Sequence, residues 1–319
     1  MSTRRVFLAA LTAVLIAPIG AIAQETKLNV VATTGMIADT AMRVGGDAAK
    51  VQALMGPGVD PHAYRQTRSD IVAMGRADLV LWNGLYLEAQ LEDLMSDIAT
   101  RTPVRAVAEA VPVEARMAHD DYADRFDPHV WMDPALWRVV TLAVRDAMVE
   151  VAPQHEAVFT ENTNVLLEEL DALTSYTDEV LASVPQAARV LITAHDAFNY
   201  FGQAHGFEVV GIQGISTESE AGLNRMTALV DMLVDRGIAS VFVESSVSDR
   251  SIRALIEGAA ARGHKVRIGG ELFSDAMGAP GTYEGTYIGM IDHNATTISG
   301  GLGGDAPERG MNGRLSAGS

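Results

Sequence analysis

The sequence predicts an α/β protein of two lobes, each a mainly parallel sheet flanked by helices, joined by one long backbone helix. Three observations predict it. Short apolar runs rich in β-branched residues alternate with longer segments of helical periodicity, the pattern of parallel βαβ units. This series occurs twice in a chain of 319 residues, a length suited to two domains. Between the two series lies a stretch, 153–185, that neither Gly nor Pro interrupts internally.

The first lobe is expected over 24–152. Its candidate strands are 28–32 (LNVVA), 51–55 (VQALM), 77–82 (ADLVLW) and 104–107, with helices at 36–44 and 69–74 between them. The joining helix is expected over 153–185. Pro153 suits a first helical turn and Pro185 a stop. Phe159, Leu166, Leu170, Leu173, Val180 and Val184 recur at spacings of three, four or seven, as one buried face requires. At 1.5 Å per residue such a strut is about 45 Å long, too stiff for wide lobe closure. The second lobe, 186–299, carries candidate strands 189–193 (RVLIT), 207–212 (FEVVGI), 239–243 (ASVFV) and 265–268 (KVRI), with helices at 217–236 and 249–262. The tail, 300–319, is glycine-rich with few large apolar side chains and is expected to be disordered.

The N-terminus sets the compartment. Residues 1–23 read as an export signal: Arg4-Arg5, an apolar run, then Ala21-Ile22-Ala23 in the A-x-A form that signal peptidase cleaves. The run from Thr3 to Leu8 also fits a twin-arginine signal, so two export routes stay open. After cleavage near Ala23 no apolar run is long enough to span a bilayer. A soluble protein of the Gram-negative periplasm is expected. The absence of cysteine excludes disulfides, thiolate metal ligands and an N-terminal lipidated cysteine. The net charge of −17, more negative still once Arg4 and Arg5 are lost, makes nucleic acid and anionic lipid poor partners and cations better ones. A monomer is expected.

Ligands of open parallel sheets sit where the loops converge at the carboxyl ends of strands, and four polar side chains fall there. In GPGVDPHAY, Asp60-Pro61 precedes His62 just past the strand ending near Met55. In RFDPHVWMDP, Asp127-Pro128 and Asp133-Pro134 bracket His129. Proline fixes its own φ and pushes the preceding residue to extended backbone, so both rings are held on stiff chain. His195, in ITAHDAF, follows the strand ending at Thr193, and Asp275, in GGELFSDAMG, follows the strand ending at Ile268, with Gly269 and Gly270 allowing a sharp exit. Two candidates come from each lobe, and all four can face one cleft between the lobes. Three imidazoles and a carboxylate suit a borderline divalent transition metal, whereas calcium or magnesium would want mostly oxygen. Asp60, Asp127, Asp133, Asp196 and Glu244 are available as acceptors that orient the rings. His155, His205, His264 and His293 read as solvated surface residues, and the loop with His119, Asp120, Asp121 and Asp124 as a plain acidic loop or a transient metal trap.

The motifs GVDPHAY, FDPHVWMDP, ITAHDAFNYF, GIQGISTESEAG, VFVESSVS and GGELFSDAMGAPGTYEGTYIGMIDHN follow one another over about 28–302. In that order the chain resembles the zinc- and manganese-binding proteins of bacterial ABC importers, the family that includes TroA and ZnuA. The resemblance implies two α/β lobes bridged by one helix, metal between them held by His62, His129, His195 and Asp275, and delivery of Zn²⁺ or Mn²⁺ to a membrane permease with a cytoplasmic ATPase. It implies no catalysis. Two departures stand out. The segment before His129, where zinc-specific members often carry a long histidine-rich loop, holds only His119, and His195 stands where many manganese members have Glu. Ligand softness favours Zn²⁺ over Mn²⁺. Two other readings are a secreted zinc hydrolase, for which Glu218 or Glu244 would have to serve as base without an H-E-x-x-H helix, and an adhesin in which metal is structural.

Overall fold

A computed structural model of the chain describes residues 26–118 and 125–316. The export signal and the His119 loop therefore lie outside the described residues. In the first lobe, β1 (Leu28–Ala32), β2 (Ala49–Ala53), β3 (Leu79–Trp82) and β4 (Val104–Ala106) form one parallel sheet in the order β2-β1-β3-β4. Its helices are α1 (Gly35–Gly45), α2 (Arg68–Met74), α3 (Glu92–Ala99) and α4 (Pro134–Val151). Apolar clusters cover both faces of this sheet, as a parallel sheet requires: Val30 and Leu81 pack on one side, Val31 and Val80 on the other. Strand β2 begins two residues earlier than its apolar run suggests. It is an edge strand whose register is set by pairing Leu28 with Ala49, and its own side chains are largely exposed.

The second lobe repeats the plan. β5 (Val190–Thr193) pairs in parallel with β6 (Glu208–Gly211), β7 (Ser240–Glu244) pairs in parallel with β8 (Arg267–Leu272), and β5 runs beside β7. The helices here are α6 (Asn199–His205), α7 (Leu223–Arg236), α8 (Arg250–Ala261) and α9 (Tyr287–Gly301).

The joining helix, α5 (Glu156–Ala182), has 27 residues, about 40 Å at 1.5 Å per residue. A 3-10 turn at Pro153–His155 precedes it. The expected stripe is buried, and Thr163 and Thr177 complete it by bonding their hydroxyls to the carbonyls of Phe159 (2.7 Å) and Thr174 (2.9 Å). α5 packs on α1 and α4 of the first lobe and on α9 of the second, so one apolar core runs through both lobes.

Four expectations need correction. Helix α7 starts at Leu223, so 212–222 is a loop: Gly222 precedes the first turn, and the Ser216 hydroxyl accepts the Glu218 amide (3.3 Å). Gly269 and Gly270 lie inside β8 and do not end it. A Cβ at Gly269 would sit 2.8 Å from the Phe242 ring, and one at Gly270 would sit 2.2 Å from the Thr297 methyl of α9, so the glycines let the strand approach its neighbours. The tail is ordered through residue 316. Leu315 is 1% exposed, the Met311 amide donates to both oxygens of Asp292 (3.0 and 2.9 Å), and Arg314 lies over the Tyr283 ring. Finally, His155 and His293 are buried. His155 packs on Phe159, and His293 packs on Phe273 and bonds the Glu271 carbonyl at 2.8 Å.

Candidate metal centre

His62, His129, His195 and Asp275 converge between the lobes, each offering a donor atom, all within 4.8 Å of one another. All four side chains are buried. Each is aimed by a local device. After β2, Asp60 Oδ1 accepts the His62 backbone amide at 2.8 Å. Before α4, Asp127 Oδ1 accepts both the His129 amide (2.9 Å) and its ring Nδ1 (2.7 Å). Past β5, His195 is gripped the same way by Glu244 at the end of β7: Oε1 takes its amide at 2.9 Å and Oε2 its Nδ1 at 2.5 Å. Fixing Nδ1–H leaves Nε2 of His129 and His195 to point inward as donors.

The inward atoms are close and poorly satisfied. His62 Nε2 lies 3.2 Å from His129 Nε2, and the Asp275 oxygens lie 3.4 Å from His129 Nε2 and 3.2 Å from His195 Nε2. Yet His195 Nε2 and both Asp275 oxygens make no hydrogen bond of proper geometry, although all are buried. A buried carboxylate without hydrogen bonds is costly unless a cation neutralises it.

Electrostatics separate the rings. Burial drives His62 down to about 3: the Asp275 charge pulls the other way, but the two neighbouring imidazoles repel a proton there. Burial opposes charge on His129 as well, but Asp127 and Asp275 outweigh it and push the ring up to about 9. His195 is likewise raised well above the ordinary imidazole value, with Asp275 and Glu244 overcoming burial. Asp275 is held well below the usual carboxylate range because the His195 and His129 rings override its burial. Three nitrogens and one oxygen at this spacing can bind a borderline divalent ion in place of ring protons.

The partners that could not be paired from sequence are now assigned, except Asp196, whose buried Oδ1 makes no hydrogen bond. Asp127 and Glu244 hold rings and Asp60 holds backbone, whereas Asp133 instead caps α4 by accepting the Ala135 amide at 2.8 Å. Sequence reasoning missed several residues. Trp131 packs on His129 (5.1 Å between ring centres) and donates Nε1–H to the carbonyl of Ser274 at 2.8 Å, beside Asp275. Tyr200 and Asn199 hold Asp127 from the second lobe through its carbonyl (2.9 Å) and Oδ2 (3.1 Å). An aromatic residue two positions after the histidine was the only signal available for Trp131. Nothing local marks the others.

The family model described as zinc-uptake complex component A, periplasmic, matches residues 30–301. The chain is 46% identical over 275 residues to the manganese-binding lipoprotein MntA of Bacillus subtilis (strain 168), covering 86% of this chain and 90% of that protein. It is 44% identical over 276 residues to the zinc-binding protein TroA of Treponema pallidum (strain Nichols), covering 86% and 89%. The solved structure of the periplasmic zinc-binding protein TroA from Treponema pallidum superposes with a TM-score of 0.84, covering 86% of this chain and 99% of that one.

Proposed function

The chain belongs to the zinc-uptake complex component A family, and from that premise we propose that it captures Zn²⁺ or Mn²⁺ in the cleft and delivers it to an ABC importer. The cargo is held by Nε2 of His62, His129 and His195 and by the Asp275 carboxylate. One observation carries this reading: four buried donors within 4.8 Å of one another, of which the Asp275 oxygens lack any hydrogen bond. The relatives' names divide between manganese and zinc, and the nitrogen-rich donor set favours Zn²⁺ at equal supply. Neither the hydrolase nor the adhesin reading gains support from these relatives. Asp275 occupies the fourth position that a catalytic zinc would leave to water, and Glu244 is committed to His195.

Hand-over takes place at a membrane permease driven by a cytoplasmic ATPase. The protein works as a monomer in the Gram-negative periplasm. The family's periplasmic description and the A-x-A signal over 1–23 support that location. No helix among the described residues is long and apolar enough to cross a membrane, and a chain of charge −17 has no use for nucleic acid. The test is elemental analysis of protein purified from the periplasm without added metal, followed by competitive titration with Zn²⁺ and Mn²⁺. Stoichiometric binding of one ion is expected. Failure of both ions to bind at micromolar concentration would refute the assignment.

A further inference from the structure

The loop 212–222 touches the ligand-bearing chain of both lobes. At its base, the Gln213 amide donates to the Ala194 carbonyl (3.0 Å) and the Asp196 amide donates to the Gly214 carbonyl (3.2 Å), so it flanks His195 on both sides. Buried Ile212 and Ile215 anchor this part. At its tip, two consecutive residues cross the cleft. The Thr217 hydroxyl donates to Asp60 Oδ2 at 2.6 Å, and Glu218 Oε1 accepts from Gln90 Nε2 at 2.7 Å. Asp60 uses its other oxygen to hold the His62 amide. A single carboxylate therefore joins a first-lobe ligand to a second-lobe loop.

Other bonds between the lobes differ in kind. Those of Trp131 to Ser274, Tyr287 to Asp39 and Trp131, and Tyr200 to Asp127 are made by buried side chains, and breaking them would open the core. The Thr217 and Glu218 contacts lie at the rim, beside an open depression of about 590 Å³ that Asp60, Thr217 and Glu218 line. None of Asp60, Gln90, Thr217 and Glu218 belongs to the apolar clusters. His62, the ligand below them, is at 3% the most exposed of the four.

We propose that Thr217 and Glu218 form a clasp that holds His62 in place through Asp60, and that its opening is the step by which the bound ion leaves. Thr217 is a positioning residue in this scheme: it touches no metal and acts through Asp60. The inference rests on the reading that the four donors bind the cargo ion.

The test is stopped-flow release of Zn²⁺ into excess chelator from the mature full chain, with association rates and the melting midpoint of the chelated protein measured alongside. Thr217→Val should release about tenfold faster, the size of one lost hydrogen bond to a charged group. Gln90→Leu, acting at the exposed contact, should release about threefold faster. Association should change less than about threefold, since encounter precedes clasp closure. Thr217→Ser, which keeps the hydroxyl, should restore wild-type release, and the midpoint of the chelated valine variant should fall by no more than about 6 °C, the share of a single hydrogen bond. Release from Thr217→Val within about twofold of wild type, release from Thr217→Ser as fast as from the valine variant, or a midpoint for the chelated protein lowered by more than about 6 °C would each overturn the clasp. A wild-type chain that binds no Zn²⁺ would overturn the metal-binding reading itself and the clasp with it, a result distinct from normal binding with unchanged release.

Discussion

Capture of one divalent ion should release close to two protons. The buried cluster sets three carboxyl groups, those of Asp127, Glu244 and Asp275, each against an imidazole. His129, pushed up to about 9, and His195, raised well above its ordinary value, carry protons at neutral pH, while His62 at about 3 does not. Replacing both protons by one dication leaves the same charge, so exchange keeps the buried electrostatics level, whereas adding the ion without losing protons would bury two extra charges. Below the raised ring values, each displaced proton changes apparent affinity about tenfold per pH unit. Two protons make affinity about 100-fold weaker at pH 6 than at pH 7. Above about pH 9, where His129 has lost its proton unaided, that ring's share of the dependence disappears. Stability without metal runs the opposite way. A ring raised from its ordinary 6.5 to about 9 stabilises the fold fully below the lower value, and that contribution is lost as pH rises through the upper one. Calorimetric titration in buffers of differing ionisation enthalpy counts the protons directly. A count near zero, with affinity flat from about pH 6 to 8, would refute the exchange.

The remaining predictions concern single parts of the site and fold. His62→Ala, His129→Ala, His195→Ala and Asp275→Ala each remove a donor and should weaken binding by more than about 100-fold, while Glu244→Gln and Asp127→Asn, which only loosen a ring, should cost about 10- to 100-fold; titration calorimetry ranks them, and wild-type affinity in any alanine variant would remove that residue from the site. Saturating metal should raise the melting midpoint, because an ion at 1,000 times its Kd stabilises the native state by about 4 kcal/mol; an unshifted curve with both Zn²⁺ and Mn²⁺ would contradict specific binding. Leu315→Ala should cost about 2–5 kcal/mol in urea unfolding; a loss under about 0.5 kcal/mol would mean that the tail contributes nothing to the fold.

The convergence of His62, His129, His195 and Asp275 was legible because their signals are local. A strand reads from β-branched runs, its carboxyl end marks where a ligand residue can stand, and Asp-Pro before His62 and His129 announces stiff backbone. The groups that aim them were only partly legible. Asp127 lies two residues from His129, but Glu244 meets His195 across 49 positions of sequence because β5 and β7 run side by side, and strand order is not written in either strand. The tail misled because composition measures average apolarity, whereas its order depends on a few contacts: Leu315 in the core, Met311 on the Asp292 carboxylate, Ser316 on Glu284 at 2.6 Å. His155 and His293 misled for a related reason. Helical periodicity shows which face a histidine shares, not whether an aromatic neighbour such as Phe159 or Phe273 covers it.

Rigidity and release have to be reconciled in a protein of this build. α5 is packed into both lobes, and Trp131 links His129 to the chain beside Asp275 through its ring and its Nε1–H. Any change in lobe separation would therefore alter the distance between a first-lobe and a second-lobe ligand while breaking a buried hydrogen bond, a cost of about 1–3 kcal/mol before any apolar surface is exposed. That coupling suits selection, because fixed distances discriminate between ions by size and geometry. It leaves two inexpensive ways to let go: rearrangement at the rim, where the Thr217 and Glu218 contacts part without opening the core, and return of protons to His129 and His195, which neutralises Asp275 as the ion departs. Both act on the same four donors while the strut stays in place, so release can be local even though the site is built from two lobes.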